Sequence, residues 1–128
     1  MARLDLTVGD RTLVIDAQKR IWSTLYLEHN NETIKIGSHY LDDIISGLLV
    51  SFGTYYNKKT SELNGLEVFN VVCVMDPHAQ VLGSKIESNI KLFFINFEGE
   101  HIPIFTLTPD DIERLTKQIT KFMIEYKE

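Results

Sequence analysis

The sequence has very little of what disulfides and metal centres are made from. Its single cysteine, Cys73, cannot form a disulfide within the chain or supply a multi-cysteine zinc site. The four histidines are scattered, and no two of them are four residues apart, as a helical metal-binding pair would be. Cys73 lies in the apolar stretch NVVCVM, which predicts a buried, inert thiol. We therefore expect no metal and no cofactor.

Long apolar runs and positive charge are also scarce. The longest apolar stretch, IISGLLVSF at 44–52, falls well short of the roughly 18 to 20 residues that cross a bilayer. The first residues lack the hydrophobic region of a secretory signal. Lys and Arg number 13 against 18 Asp and Glu, a net charge of −5, which disfavours a large nucleic-acid footprint. These features predict a cytoplasmic protein with no membrane partner.

Recognisable catalytic motifs are missing as well. The sequence contains no glycine-rich phosphate loop and no nucleophile elbow. Two acidic pairs, Asp42–Asp43 and Asp110–Asp111, could be read as paired carboxylates. Each pair precedes an apolar helical pattern, and we interpret both as first-turn acids favoured by the helix dipole. The sequence therefore predicts a non-catalytic protein.

Alternation of apolar and polar residues is the main signal in the first half, and it predicts strands. From Leu41 to Tyr56 the apolar spacing changes to that of a helix. The polar stretch 57–65 then interrupts the pattern, which indicates a linker. The predicted strands are RLDLTV at 3–8, RTLVI at 11–15, RIWSTLYLE at 20–28 and ETIKI at 32–36.

The second half repeats this order of elements. A shift of 68 residues places Asp42-Asp43-Ile44 on Asp110-Asp111-Ile112, which indicates an internal duplication. Thr108 is a good helix N-cap and is followed by proline at the first helical position. The predicted strands here are EVFNVVCVM at 67–75, QVLGSKI at 80–86, NIKLFFINF at 89–97 and HIPIFTL at 101–107.

The repeat predicts an α+β fold built as a pseudo-dimer. We expect a tandem ββββα repeat, with antiparallel sheets and two helices packed on one side. The chain would form a single domain over 1–128, with a first repeat at 2–58, a linker and strand entry at 59–69, and a second repeat at 70–127. A lone unit of about 60 residues would be marginally stable, so the two units should share a core. The alternative is a simple α+β domain whose symmetry is coincidental.

One stretch carries a family resemblance. FTLTPDDIERLTKQI at 105–119 resembles the strand-to-helix junction of the single-stranded-DNA-binding domain of transcriptional coactivators, with its Leu-Thr/Asn-Pro-acid helix start. The doubled ββββα unit is similar to the Whirly proteins of plants. This resemblance implies antiparallel sheets that present basic and aromatic side chains to unpaired nucleic-acid strands.

The first sheet offers a candidate binding face. If Leu25 and Leu27 face the helices, the opposite face shows aromatic and basic side chains. Such a face could hold single-stranded nucleic acid by stacking and phosphate contacts. Binding of single-stranded nucleic acid is the leading expectation. The alternative is a protein partner, as in an inhibitor, immunity or assembly factor, or aromatic residues that fill a second core layer or a subunit interface. The predicted nucleic-acid-binding residues are Arg3, Arg20, Trp22, Tyr26, Lys35 and Phe94.

The first predicted helix is unusually poor in charge. Beside its apolar stripe it carries small, neutral residues, which allow another backbone to approach closely. Two glycines in an exposed helix would cost about 1 kcal/mol each relative to alanine, so close packing should compensate for them. We expect that packing on the other helix or on a second subunit, and hence a homo-oligomer. The predicted interface residues are Gly47, Val50, Ser51 and Thr54.

Overall fold

The first half of the chain forms one antiparallel sheet. The computed structural model describes residues 2–17, 21–57, 65–75, 80–82, 85–87 and 89–127. Four strands pair in chain order, each with the next. The third and fourth strands meet at Asn30 and Asn31, both at positive φ, as a two-residue hairpin turn requires. The strands are β1 (Ala2–Val8), β2 (Arg11–Ala17), β3 (Trp22–His29) and β4 (Glu32–Tyr40).

The second half forms another four-stranded antiparallel sheet and a separate hairpin. In this second sheet the strands lie in the order β10-β9-β6-β5, and β7 and β8 pair in a separate two-stranded sheet. One helix follows each sheet in sequence, which confirms the α+β class and the tandem ββββα arrangement. The strands are β5 (Leu66–Val68), β6 (Val71–Met75), β7 (Gln80–Leu82), β8 (Lys85–Glu87), β9 (Ile90–Ile95) and β10 (His101–Leu107); the helices are α1 (Leu41–Tyr56) and α2 (Pro109–Lys127).

Two predicted strands of the second half are hairpins instead. The stretch 67–75 turns at Phe69, whose φ is +55°, so that β5 folds back on β6. Asn70 supports this turn, because its carbonyl accepts the Ile95 N–H at 2.9 Å and its side-chain amide donates to the Ile95 carbonyl at 3.1 Å. The stretch 80–86 forms β7 and β8. The predicted turn at 76–78 and the predicted bend at Gly83 lie outside the described residues.

Each helix packs on the sheet of the other half as well as on its own. Helix α1 contacts β5 and β6 of the second sheet, and α2 contacts β1 of the first. Arg114 on α2 reinforces this contact by donating to the carbonyl of Thr7 on β1 at 2.8 Å. The inner faces of both sheets and the buried sides of both helices form one hydrophobic core. This crossed packing joins the two repeats into a single body.

Helix α1 is pressed closely against the second sheet at Gly47. A methyl group on Gly47 would lie 2.8 Å from the carbonyl oxygen of Val68 and 2.8 Å from a methyl carbon of Val71. Ser51, one turn later, is fully buried and donates its hydroxyl to the Gly47 carbonyl at 2.8 Å. Gly47 therefore packs closely on the second sheet, and not on the other helix or a second subunit as predicted from the sequence. Gly47 and Ser51 lie inside the fold, away from any surface that a second subunit could reach.

Helix α2 begins with a reciprocal cap. The Thr108 hydroxyl accepts the Asp111 N–H at 3.2 Å, and the Asp111 carboxylate accepts the Thr108 N–H at 3.0 Å. Burial alone would raise the pKa of Asp111. The hydrogen bonds from Thr108 and Arg114 outweigh burial and lower that pKa below its usual value. The sequence prediction of a capped helix start at Thr108 is confirmed.

Both repeats carry a β-bulge at equivalent positions. Pairing between β3 and β4 skips Ile36, and pairing between β9 and β10 skips Ile104, 68 residues later. The residues that pair with these two bulged strands are not equivalent in the repeat, however, because they differ by one position. Lys35 lies opposite Tyr26, whereas Pro103 lies opposite Phe93. Strand β9 is therefore shifted by one residue relative to the repeat alignment.

This shift reverses the predicted sides of β9. Because side chains alternate along a strand, a shift of one residue exchanges the two faces. Phe94 is fully buried in the core, and Lys91 is exposed. The prediction that Phe94 shares the outward face is thus wrong. The cause is the β9–β10 connection. Nine residues separate the paired Phe93 and Pro103, whereas eight residues separate the equivalent pair Tyr26 and Lys35.

Candidate functional site

The outer face of the first sheet, which points away from the core, carries most of the predicted binding residues. Tyr26 lies opposite Lys35 on this face, and Trp22 lies opposite Tyr40 at one end of it. Lys35 is exposed and Tyr26 is half-buried. Arg3 is exposed on the same face, at the opposite edge strand.

An exposed aromatic pair is the most prominent feature of the outer face. The rings of Trp22 and Tyr40 stack with centroids 4.2 Å apart and an interplanar angle of 24°. Trp22 is 43% exposed and Tyr40 is 49% exposed, so neither fills a second core layer. Stacked aromatic rings of this size left in contact with solvent are typical anchors of interaction surfaces.

The β4 bulge places Tyr40 beside Trp22. In a regular strand Tyr40 would lie on the opposite face from Lys35, because their positions differ by an odd number. The extra residue at Ile36 exchanges the faces, so that Tyr40 points outward and His39 points inward. Sequence reasoning missed Tyr40 because it ended the fourth strand at Ile36, whereas β4 continues through the bulge to Tyr40. Gly37, directly after Ile36, was the available signal, since glycine within a strand often marks a bulge.

The predicted residues are only partly brought together. Arg3, Trp22, Tyr26 and Lys35 share the outer face. Phe94 is in the core on the other sheet, and Arg20 lies outside the described residues. Two predicted interface residues on α1 remain at the surface: Val50 is 48% exposed, and Thr54 is partly exposed with its hydroxyl bonded to the Val50 carbonyl at 2.8 Å.

The charges of the outer face are mixed. Arg3 donates to Asp5 at 2.8 Å and lies 3.9 Å from Glu28. The hydrogen bond to Asp5 and the nearby negative charges raise the pKa of Arg3. Lys35 has no ion-pair partner within the part of the chain that the structure describes. With Asp16, which lies opposite Arg3, the described residues of this face include two cations and three carboxylates.

A second polar surface lies at the turn end of the first sheet. Asp10, Glu28, His29 and Glu32 line a shallow depression there. The Nδ1 atom of His29 is 3.5 Å from an Asp10 carboxylate oxygen. Over the described ranges, no group of three His, Cys, Asp or Glu side chains is placed to hold a metal ion. The depression therefore carries charged side chains, but its described residues form no metal-binding arrangement.

Cys73 is buried on β6, facing α1. Burial raises the pKa of its thiol to about 11, and the nearby Ser51 hydroxyl opposes that rise only in part. A thiol with this pKa carries almost no thiolate at neutral pH, and thiolate is the reactive form. The sequence prediction of a buried cysteine is confirmed, and the surroundings favour an inert one.

No protein-family model, curated protein or solved structure matched the chain in comparison. Within the described residues, no helix combines the length and the apolar character needed to cross a membrane. The chemistry of the outer face must therefore carry the functional argument by itself.

Proposed function

We propose that this protein is a non-catalytic interaction module that binds a protein partner on the outer face of its first sheet. The stacked and half-exposed Trp22–Tyr40 pair carries this proposal. Tryptophan and tyrosine are enriched among residues that dominate protein–protein binding energy, because they bury a large area at a small loss of side-chain freedom. The β-bulge holds the two rings against each other, so this anchor is formed before a partner arrives.

The charge of the face favours a protein over a nucleic acid. Binding to a phosphate backbone depends on unpaired basic side chains that replace counterions. Arg3 is already engaged by Asp5 and Glu28, and among the described residues of the face carboxylates outnumber cations. A protein partner can match such mixed charges residue by residue, and the net charge of −5 points to a partner with a basic contact surface.

Single-stranded nucleic acid is the second candidate. Trp22, Tyr26 and Lys35 do lie on one face, and Lys35 has no ion-pair partner among the described residues. Aromatic rings beside a free lysine are the elements on which unpaired bases stack and phosphates bind. The resemblance of 105–119 to single-stranded-DNA-binding domains also supports this candidate.

Affinity capture with matched variants tests the proposal. The parent protein, Trp22→Ala and Ile124→Ala would each be immobilised and exposed to nuclease-treated extract. Ile124 is 61% exposed on α2, away from the sheet face, and serves as the control for loss of an exposed apolar side chain. We expect a partner retained by the parent and by Ile124→Ala. Trp22→Ala should weaken its binding by about 2 kcal/mol, or roughly thirtyfold.

The same proteins discriminate the two candidates. Fluorescence anisotropy with single-stranded oligonucleotides at low salt should show no binding if the partner is a protein. Binding that weakens steeply as salt rises and is lost in Trp22→Ala would establish the nucleic-acid candidate instead. A protein partner held equally well by Trp22→Ala would refute the outer face as its binding surface.

A further inference from the structure

His39 is an unusual residue in this fold because it is buried without a hydrogen-bond partner. Its side chain points inward from β4, and the residue is only 7% exposed. Neither ring nitrogen is bonded to any described residue. The Ile95 carbonyl lies near the ring; it accepts from the Asn70 side-chain amide at 3.1 Å, and its second lone pair meets a ring N–H donor only if the ring is protonated or suitably turned. Buried polar atoms are nearly always paired, so an unpaired imidazole calls for an explanation.

Phe97 covers His39 from the second sheet. The two rings are parallel within 2°, and their centroids lie 5.3 Å apart. Gly37 provides the space for this stack, since a methyl group there would lie 3.1 Å from the His39 ring and 3.2 Å from the Phe97 ring. Phe97 belongs to the connection between β9 and β10, here called the 96–100 loop. The stack is therefore a contact between the two halves of the chain.

The 96–100 loop is held together by hydrogen bonds within itself. The Asn96 carboxamide oxygen accepts the N–H groups of Glu98 at 3.1 Å and Glu100 at 2.8 Å. The Asn96 N–H also donates to the Glu100 carbonyl at 3.0 Å, which closes the loop on itself. These bonds are internal, so they persist when the loop leaves β4. Phe97 is 73% exposed, so the stack on His39 covers only part of its ring.

We propose that the His39–Phe97 stack is a proton-sensitive latch, and that protonation of His39 releases the 96–100 loop from β4. An imidazolium has two N–H donors and a charge; the Ile95 carbonyl can accept from one donor, but the charge has no carboxylate partner among the described residues in the closed arrangement. A cation–π contact with Phe97 would favour the closed state. Burying an ion without a counter-charge disfavours the closed state, and this is the larger effect.

The groups around His39 do not supply a counter-charge. On β3 the neighbour is Ser23, whose hydroxyl donates to the His39 carbonyl at 3.3 Å. The 96–100 loop carries Glu98 and Glu100, and α1 begins with Asp42 and Asp43. Among the described residues no carboxylate lies within 4.0 Å of the His39 ring. Burial accordingly lowers the pKa of His39 below its usual value, and the Ile95 backbone opposes this only in part.

The sign of the effect follows from linkage. The neutral ring is favoured when the loop is closed, and the ring regains its ordinary pKa when the loop opens and water reaches it. The closed latch is therefore fully favoured above the ordinary histidine pKa. As pH falls from there towards the lowered pKa, the opening constant of the loop should rise about tenfold per pH unit.

Nuclear magnetic resonance of the whole protein tests the latch. The ring signals of His39 and Phe97 would be followed from pH 7.5 to pH 4.5, together with hydrogen exchange of the amides from 96 to 100. We expect both rings to shift with one common midpoint below 6.5. Amide protection in the loop should fall over the same range after correction for intrinsic exchange.

Variants decide whether His39 is the cause. In His39→Phe, which keeps a stacking ring but cannot be protonated, the Phe97 signals should become independent of pH. His101→Phe, which replaces an exposed histidine on β10, should leave the transition intact. Phe97→Ala uncovers the ring and should raise the His39 midpoint towards 6.5, a readout that does not depend on the first variant folding. An unchanged midpoint in Phe97→Ala, or a transition that persists in His39→Phe, overturns the latch.

Discussion

Two glycines in α1 provide a matched test of how tightly this helix packs. Alanine at Gly53 would meet no atom within 4 Å, whereas alanine at Gly47 would press on the Val68 carbonyl and on Val71 at 2.8 Å. Each change gains about 0.5 to 1 kcal/mol of helix propensity. At Gly47 the added methyl group also overpacks the contact with the second sheet, which typically costs about 1 to 3 kcal/mol.

The difference in unfolding free energy between the two variants isolates the packing cost, because both variants gain the same helix propensity. We expect Gly53→Ala to be more stable than the parent and Gly47→Ala to be less stable than Gly53→Ala by about 1 to 3 kcal/mol. With a urea dependence of about 2 kcal/mol per molar, this separates the unfolding midpoints by roughly 0.5 to 1.5 M. Equal midpoints would refute the close approach of α1 to the second sheet at Gly47.

Three further expectations follow from features already described. Asp111→Ala should lose about 1 kcal/mol of unfolding free energy at pH 7, and Asp110→Ala should lose less. The loss in Asp111→Ala should shrink as pH falls through the lowered pKa of Asp111. A loss that urea titrations find to be constant with pH would contradict the cap. Cys73 should resist a thiol reagent at pH 8 until urea unfolds the chain, and rapid labelling of the folded protein would contradict its burial. The contribution of the Cys73 thiol to stability should be lost as pH rises from its ordinary pKa towards about 11. We also expect self-association through the exposed side of α1, so that Val50→Glu lowers the mass measured by light scattering and Lys117→Glu does not; a parent that is monomeric at high concentration would rule this out.

Sequence periodicity predicted the fold class well because both sheets keep one face on the core. The alternation along β1 and β3 and the cap at Thr108 are local signals, and all of them held. The hairpin between β5 and β6 was missed because its turn is at Phe69, a residue that rarely adopts positive φ. That turn is stabilised by Asn70 through a strand 25 residues away, which no local pattern reveals.

The candidate site shows a sharper limit. Side-chain direction along a strand is known from sequence only if the strand is regular, and one bulged residue reverses everything beyond it. At Ile36 this exchange brought Tyr40 to the surface pair and turned His39 inward. In β9 the reverse problem arose, because a connection longer by one residue moved Phe94 from the predicted surface to the core. The aromatic residues were visible in the sequence, but their faces depended on two insertions of one residue.

The crossed packing of the helices also sets the order in which the chain can fold. The bond from Arg114 to Thr7 joins residues that are 107 positions apart in sequence, so the apolar face of β1 is covered by a helix that is synthesised much later. Contacts this distant in sequence slow folding, because the loop that they close must lose its freedom before any contact forms. During synthesis the β1 side of the first sheet stays uncovered until α2 has emerged. Stopped-flow refolding should accordingly show a main phase slower than that of a protein with local helix–sheet contacts, and mutations that weaken the α2–β1 contact should affect it most.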